Sequence, residues 1–142
     1  MKLSLETDYA LRIVLYVYKV NTLTLGINIV NNCFIPKSLG LKVITKLVKG
    51  NILKSFPGKN GGITYSKSSK EVNLYDVISI IEELYFKDCI KNPDSCEWRN
   101  GNCSICNEIK KIQESCVLKF KRITYDYLLN QDKKYLTTRA AF

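Results

Sequence analysis

The chain has 142 residues, 46% of them apolar, with six cysteines, no histidine and a net charge of +9. That length is one ordinary domain, or a small domain with an appendage. The absence of any run of about eighteen apolar residues excludes a membrane-spanning helix, and without histidine or clustered carboxylates few catalytic constellations are available, so no enzyme is expected.

Ala10, Ile13, Val14, Val17 and Val20 recur at helical spacing and predict a first helix over roughly Ser4 to Val20. Glu6, Asp8 and Arg12 interrupt its apolar residues, and no small-residue cleavage site follows, so it does not read as a signal peptide. After a short loop, LGINIVNNCF sets Ile27, Val30 and Phe34 on one side of a short second helix. IPKSLGLKVITKLVKGN predicts a third, with Pro36 suited to its first turn and Gly50-Asn51 ending it. Leu39, Val43, Ile44 and Leu47 form its apolar side, and Lys37, Lys42, Lys46 and Lys49 occupy much of the rest. Helix, turn and basic helix is the outline of a helix-turn-helix reader.

ILKSF and GITYS are short β-prone runs around the turn stretch PGKNG, a hairpin with Lys59 near its tip. A basic hairpin after a basic helix is a winged helix-turn-helix, in which the helix enters a major groove and the wing reaches backbone or minor groove. The charge supports this reading. From Tyr9 to Lys70 there is no Asp or Glu, while the stretch holds Arg12 and nine lysines. A long single-sign stretch is best matched by a polyanion.

NLYDVISIIEELYF predicts a further helix, and CIKNPDSCEWRNGNCSIC is read as a loop. From Ser104 to about Leu129, Ile105, Ile109, Ile112, Cys116, Phe120, Ile123 and Tyr127 recur in steps of three and four. This heptad-like stripe predicts one long helix pairing with its copy in a second subunit. The tail LTTRAAF is expected to fray. The predicted class is mainly α with a small β-hairpin wing. The predicted division is a DNA-binding domain over 1–88, a cysteine-rich loop over 89–103, a dimerisation helix over 104–130 and a tail over 131–142.

Cys89, Cys96, Cys103 and Cys106 fall within eighteen residues. Disulfides are disfavoured if the chain is cytoplasmic, because thiols stay reduced there. A thiol oxidoreductase using Cys103-Ser104-Ile105-Cys106 would need a βαβ scaffold, which the pattern lacks. Zinc and an iron–sulfur cluster both accept four thiolates, and spacing alone leaves them nearly even. Cys33 and Cys116 read as small apolar packing residues.

Several pieces carry a resemblance. MKLSLETDYALRIVLYV, IPKSLGLKVITKLVKGNILKS, GKNGGITYSK and VNLYDVISIIEE, in that order with the cysteine loop and long helix, resemble the bacterial winged-helix regulators that include the iron–sulfur cluster regulator and the nitric-oxide-sensitive repressor. The match covers nearly the whole chain. It implies a cytoplasmic homodimer that binds a roughly palindromic double-stranded operator and takes no small-molecule substrate. It also implies cluster ligation by Cys89, Cys96 and Cys103, with Cys106 where one member of the family has histidine. A [2Fe–2S] cluster is favoured over [4Fe–4S], with zinc or bare redox thiols as the alternative. Asp8 matches a cluster-ligating aspartate of the nitric-oxide sensor. DNA contacts are expected from Lys37, Ser38, Lys42 and Lys46 of the reading helix, and from Lys59 and Asn60 of the wing. Three departures from the family bear on sequence preference: Pro57 precedes the wing glycine instead of arginine, Gly40 interrupts the reading helix, and Leu39 stands where an aromatic is often found.

Overall fold

Helix α1 (Leu5–Val20) begins where the Ser4 side chain accepts from the Thr7 amide, and it ends where Asn21 enters the left-handed region. Its apolar stripe is the centre of the protein: Ala10, Ile13 and Val14 are fully buried, and Val17 nearly so. The computed structural model describes residues 2–98 and 102–140, the side chains of 135–140 excepted. Helices α2 (Gly26–Asn32) and α3 (Lys37–Lys49) pack on α1 through Ile29, Val30, Val43, Ile44 and Leu47. Gly40 is the residue that lets α3 approach α2. A Cβ there would lie 2.4 Å from a Val30 methyl carbon and 3.1 Å from Ile35.

Strands β1 (Leu53–Phe56) and β2 (Gly62–Tyr65) form an antiparallel hairpin, with Leu53 opposite Tyr65 and Phe56 opposite Gly62. A bridge between Thr24 and Ile63 ties the hairpin to the α1–α2 connection. Helix α4 (Leu74–Ile81) starts at a capping box, in which Asn73 and Asp76 each accept from the other's backbone amide. The mainly helical body with one two-stranded sheet is the predicted winged helix-turn-helix.

The later part of the chain departs from expectation in four places. Helix α4 stops at Ile81, although its apolar pattern runs on through Leu84. Glu82 is extended because its carboxylate turns back to α1, accepting from the Ser4 amide at 2.9 Å and from the Thr7 hydroxyl. The cysteine loop contains a short helix α5 (Asp88–Lys91) and a 3-10 turn at Pro93–Ser95. The single helix predicted over 104–130 is two, α6 (Ser104–Arg122) and α7 (Tyr125–Ala140).

The break has a clear cause. The Leu74 amide donates to the Ile123 carbonyl, and the Tyr125 amide donates to the Val72 carbonyl, each at 3.0 Å. Ile123 and Thr124 are thereby drawn out of the helix to pair with the segment entering α4. Tyr125 is fully buried beside Tyr18, and its hydroxyl donates to the Leu11 carbonyl at 3.4 Å. Helix α7 then runs back along α1, with Leu128 and Leu129 against the core and Asp132 paired with Lys19. Residues 131–140, assigned to the tail, continue this helix, including 136–140 of the stretch expected to fray; residues 141–142 lie outside the described ones. Among the described residues no helix is long and apolar enough to cross a membrane.

Candidate functional site

Two groups of side chains were predicted, one on the helix-turn-helix and wing, the other in the cysteine loop. On α3, Lys37, Ser38 and Lys42 are exposed and Lys46 is half-buried. Lys59 and Asn60 are exposed at the hairpin turn. Helix α3 buries Val43, Ile44 and Leu47, so its basic side faces outward, as a groove-reading helix requires.

A carboxylate lies over this face that sequence reading missed. Glu6, in the first turn of α1, accepts from Lys42 Nζ at 3.1 Å and from Lys46 Nζ through its other oxygen. Hydrogen bonds from Lys46 first and Lys42 second hold the Glu6 carboxyl below the ordinary glutamate value. The stretch without acids is continuous in sequence, but the fold brings an acid from outside it onto two of its lysines. No local signal marks Glu6, because the partners lie 36 and 40 residues away.

Glu82 was also missed. Burial disfavours its charge, yet the hydrogen bonds from Thr7 and Ser4 prevail and hold its carboxyl below the ordinary value. Two links lie just before the cysteine segment. Glu82 binds the first turn of α1, and four residues on, the Phe86 amide donates to the Gln113 side chain of α6 at 2.9 Å. The segment is thus anchored both to the helix that carries Glu6 and to α6.

The four loop cysteines are all half-buried and unpaired. Cys89 Sγ lies 3.7 Å from Cys106 Sγ, and the contact with Cys106 followed by burial pushes the Cys89 thiol up. Cys103 caps α6: its sulfur accepts from the Cys106 amide at 3.5 Å. Cys96 follows the 3-10 turn. No cluster of three or more metal-ligating side chains is assembled among the described residues; the structure brings together the Cys89 and Cys106 sulfurs, with the Cys103 sulfur bonded to the Cys106 amide. Asp8 is engaged within α1 by an ion pair to Arg12.

The donor set fits a thiolate-ligated metal group in one measurable respect. Two sulfurs bound to one tetrahedral centre at about 2.3 Å sit about 3.8 Å apart, close to the 3.7 Å between Cys89 and Cys106. The remaining cysteines, Cys33 and Cys116, lie elsewhere. Cys33 is buried at the end of α2, and burial pushes its thiol up. Cys116 is half-buried, midway along α6.

Three comparisons bear on this arrangement. A family model described as Rrf2, iron-dependent transcriptional regulator, matches residues 3–131. A protein of Aquifex aeolicus (strain VF5), named as an HTH-type transcriptional regulator, is 25% identical over 104 residues, 72% of this chain and 72% of its own. The structure of T. potens IscR superposes with a TM-score of 0.76 at 16% identity, over 95% of this chain and 90% of that one. The structure of CymR, the global cysteine regulator of B. subtilis, gives 0.75 at 16% identity, over 92% and 98%. At those identities the structural likeness speaks for the fold alone.

Proposed function

Because the chain belongs to the Rrf2 family of DNA-binding transcriptional regulators, we propose that it is a cytoplasmic homodimer that senses redox, iron–sulfur or nitric-oxide status through a cysteine-ligated iron–sulfur cluster. The observation that carries the reading is the meeting of Cys89 and Cys106 at 3.7 Å beside Cys103, where the loop joins α6. Cys89, Cys103 and Cys106 would hold the cluster, and Cys96, seven residues before Cys103, would swing in as the fourth ligand. Four thiolates suit [2Fe–2S], which we favour, and also [4Fe–4S]. Asp8 of the second subunit is a further candidate ligand. A bound cluster supplies a centre that reacts with oxidants and nitric oxide.

The protein's own part is to read DNA and to pass the state of the loop to the reading helix. Lys37, Ser38, Lys42 and Lys46 meet a major groove, and Lys59 and Asn60 of the wing meet the adjoining backbone or minor groove. The two-fold axis of the dimer then calls for a roughly palindromic operator, with half-sites one or more helical turns apart. Glu82 and Phe86 link the loop to α1 and α6, so a loop that reorders pulls on both the reading head and the subunit contact. The reading requires cluster state to change DNA affinity by about 1–3 kcal/mol.

A second reading has an observation in its favour. Two reduced sulfurs at 3.7 Å are also a pair of redox thiols that an external two-electron oxidant, such as a peroxide or a disulfide, would close without metal, with loss of two protons. Zinc held by the same residues is the purely structural form.

The test is anaerobic purification with a visible spectrum, iron, sulfide and zinc assays, and DNA affinity before and after loss of the cluster. Visible absorbance, about two irons and two sulfides per chain, and an affinity that shifts on cluster loss are expected. A colourless protein with one zinc, or equal affinity in both states, sinks the sensor.

A further inference from the structure

The turn between α2 and α3 closes with a left-handed residue. The Ile35 amide donates to the Val30 carbonyl at 3.0 Å and the Phe34 amide to the Asn31 carbonyl at 3.1 Å. This pair of bonds is the Schellman ending of a helix, in which glycine favours the left-handed position. Here that position is Phe34, at φ 54°. The other non-glycine residues with positive φ among those described are Asn21 and Asn51, and asparagine accepts that region through local hydrogen bonding. Phenylalanine has no such compensation.

The ring does not recover the loss by burial, because Phe34 is 90% exposed. Its neighbours Cys33 and Ile35 supply the packing, so the turn would close better, and the core lose nothing, with glycine at 34. A single exposed aromatic needs no explanation. One held in an unfavourable backbone conformation points to a use outside the fold.

Its position says what the ring meets. Phe34 lies three residues before Lys37, the first residue of α3. In a helix-turn-helix, the N-terminal residues of the second helix contact base edges. The exposed residues around Phe34 are Asn31, Asn32, Pro36, Lys37 and Ser38, and the sequence contributes no acid from Tyr9 to Lys70. Asp8 comes near the turn from outside that stretch, but it is ion-paired to Arg12, whose guanidinium also donates to the Cys33 carbonyl at 3.4 Å. A polar rim bearing lysine and arginine suits a polyanion better than an apolar protein partner.

We propose that Phe34 is a DNA-reading residue whose ring packs against thymine 5-methyl groups at the edge of the major groove entered by α3. The 5-methyl is the apolar feature that the major groove displays, and a phenyl ring is among the groups that read it. This contact selects A·T pairs beside the α3 footprint. It rests on α3 being the reading helix.

The experiment uses duplexes selected from a random pool by the full-length wild-type protein, then remade with deoxyuridine at one thymine after another. That exchange removes the methyl group and leaves base pairing intact. Wild type is compared with Phe34→Gly, which relieves the backbone, and Phe34→Ala, which does not. Phe34→Gly is expected to melt about 2–8 °C higher than wild type. Both variants are expected to bind the selected duplex about tenfold more weakly. Deoxyuridine at one or two positions should weaken wild type by a similar factor and leave both variants unchanged.

Unaltered affinity of the variants, or a wild type indifferent to every deoxyuridine, overturns the proposal. So does a change in subunit association without a change in methyl sensitivity, which would give the ring to a protein contact. Lys42→Ala, measured alongside, separates the two levels. If it too leaves binding intact, the reading-helix assignment has failed; if it alone weakens binding, only the role of Phe34 has.

Discussion

Glu6 lies three residues before the acid-free stretch in sequence and against its lysines in space. Two effects follow, and they oppose each other in DNA binding. The carboxylate steadies Lys42 and Lys46 on α3, and it also competes with phosphate for the same ammonium groups. Magnitude decides between them. An ion pair as open as this one, with Lys42 60% exposed, contributes under about 1 kcal/mol to stability. Each ammonium freed to neutralise a phosphate adds about 0.9 to the salt slope of binding. Glu6→Gln is therefore expected to bind DNA more tightly at low salt. Its slope of log affinity against log salt should be steeper by about one to two, for one or both ammoniums freed, with unfolding free energy lowered by less than about 1 kcal/mol. Titrations between about 50 and 200 mM salt check this. An unchanged slope would mean that Lys42 and Lys46 do not meet phosphate.

At the scale of elements, what was legible in the sequence is what repeats locally. The stripe of α1, the basic and apolar sides of α3, and the turn between β1 and β2 are written in neighbouring residues, and the fold follows them. The break between α6 and α7 is not. Ile123 and Tyr127 keep helical spacing across it, while the bonds that open it come from Val72 and Leu74, some fifty residues upstream. The four cysteines were equally legible as a group, but their joining to α1 through Glu82 was not, since Ser4 lies 78 residues away. Gly40 shows the same limit. Within α3 alone it reads as a defect, since alanine would favour the helix by about 1 kcal/mol. Against α2 it is required, because the added Cβ would fall 2.4 Å from Val30. Overpacking costs about 1–3 kcal/mol and outweighs the propensity gain. Gly40→Ala is expected to lower the unfolding free energy by up to about 2 kcal/mol in denaturant titration. It should also weaken DNA binding, as α3 is levered off α2. A more stable variant would show that α2 and α3 can separate freely.

For the whole molecule, α6 is the element whose apolar residues the single chain leaves uncovered. Ile105 and Ile112, which share one side of the helix, are 59% and 55% exposed, and α6 has no buried residue. The chain buries the stripe of α1 from Ala10 to Val17, so it has the means to cover a helix and does not cover this one. In the proposed dimer two copies of α6 pair along this stripe, and the pairing joins two reading heads whose separate affinities then act together. Ile112 is the residue to change. It is exposed in one subunit, so a charge there should leave the fold and its melting temperature nearly intact. In a paired α6 the same charge would be buried without a partner, which is strongly unfavourable. Ile112→Glu is therefore expected to sediment as a monomer at micromolar concentration. It should lose more than about tenfold in affinity for a duplex carrying two half-sites and keep its affinity for one half-site. A variant that remains dimeric would move the interface off this face of α6. It would also break the route by which the cysteine loop, attached to α6 at Cys103 and Gln113, could set the spacing of the two heads.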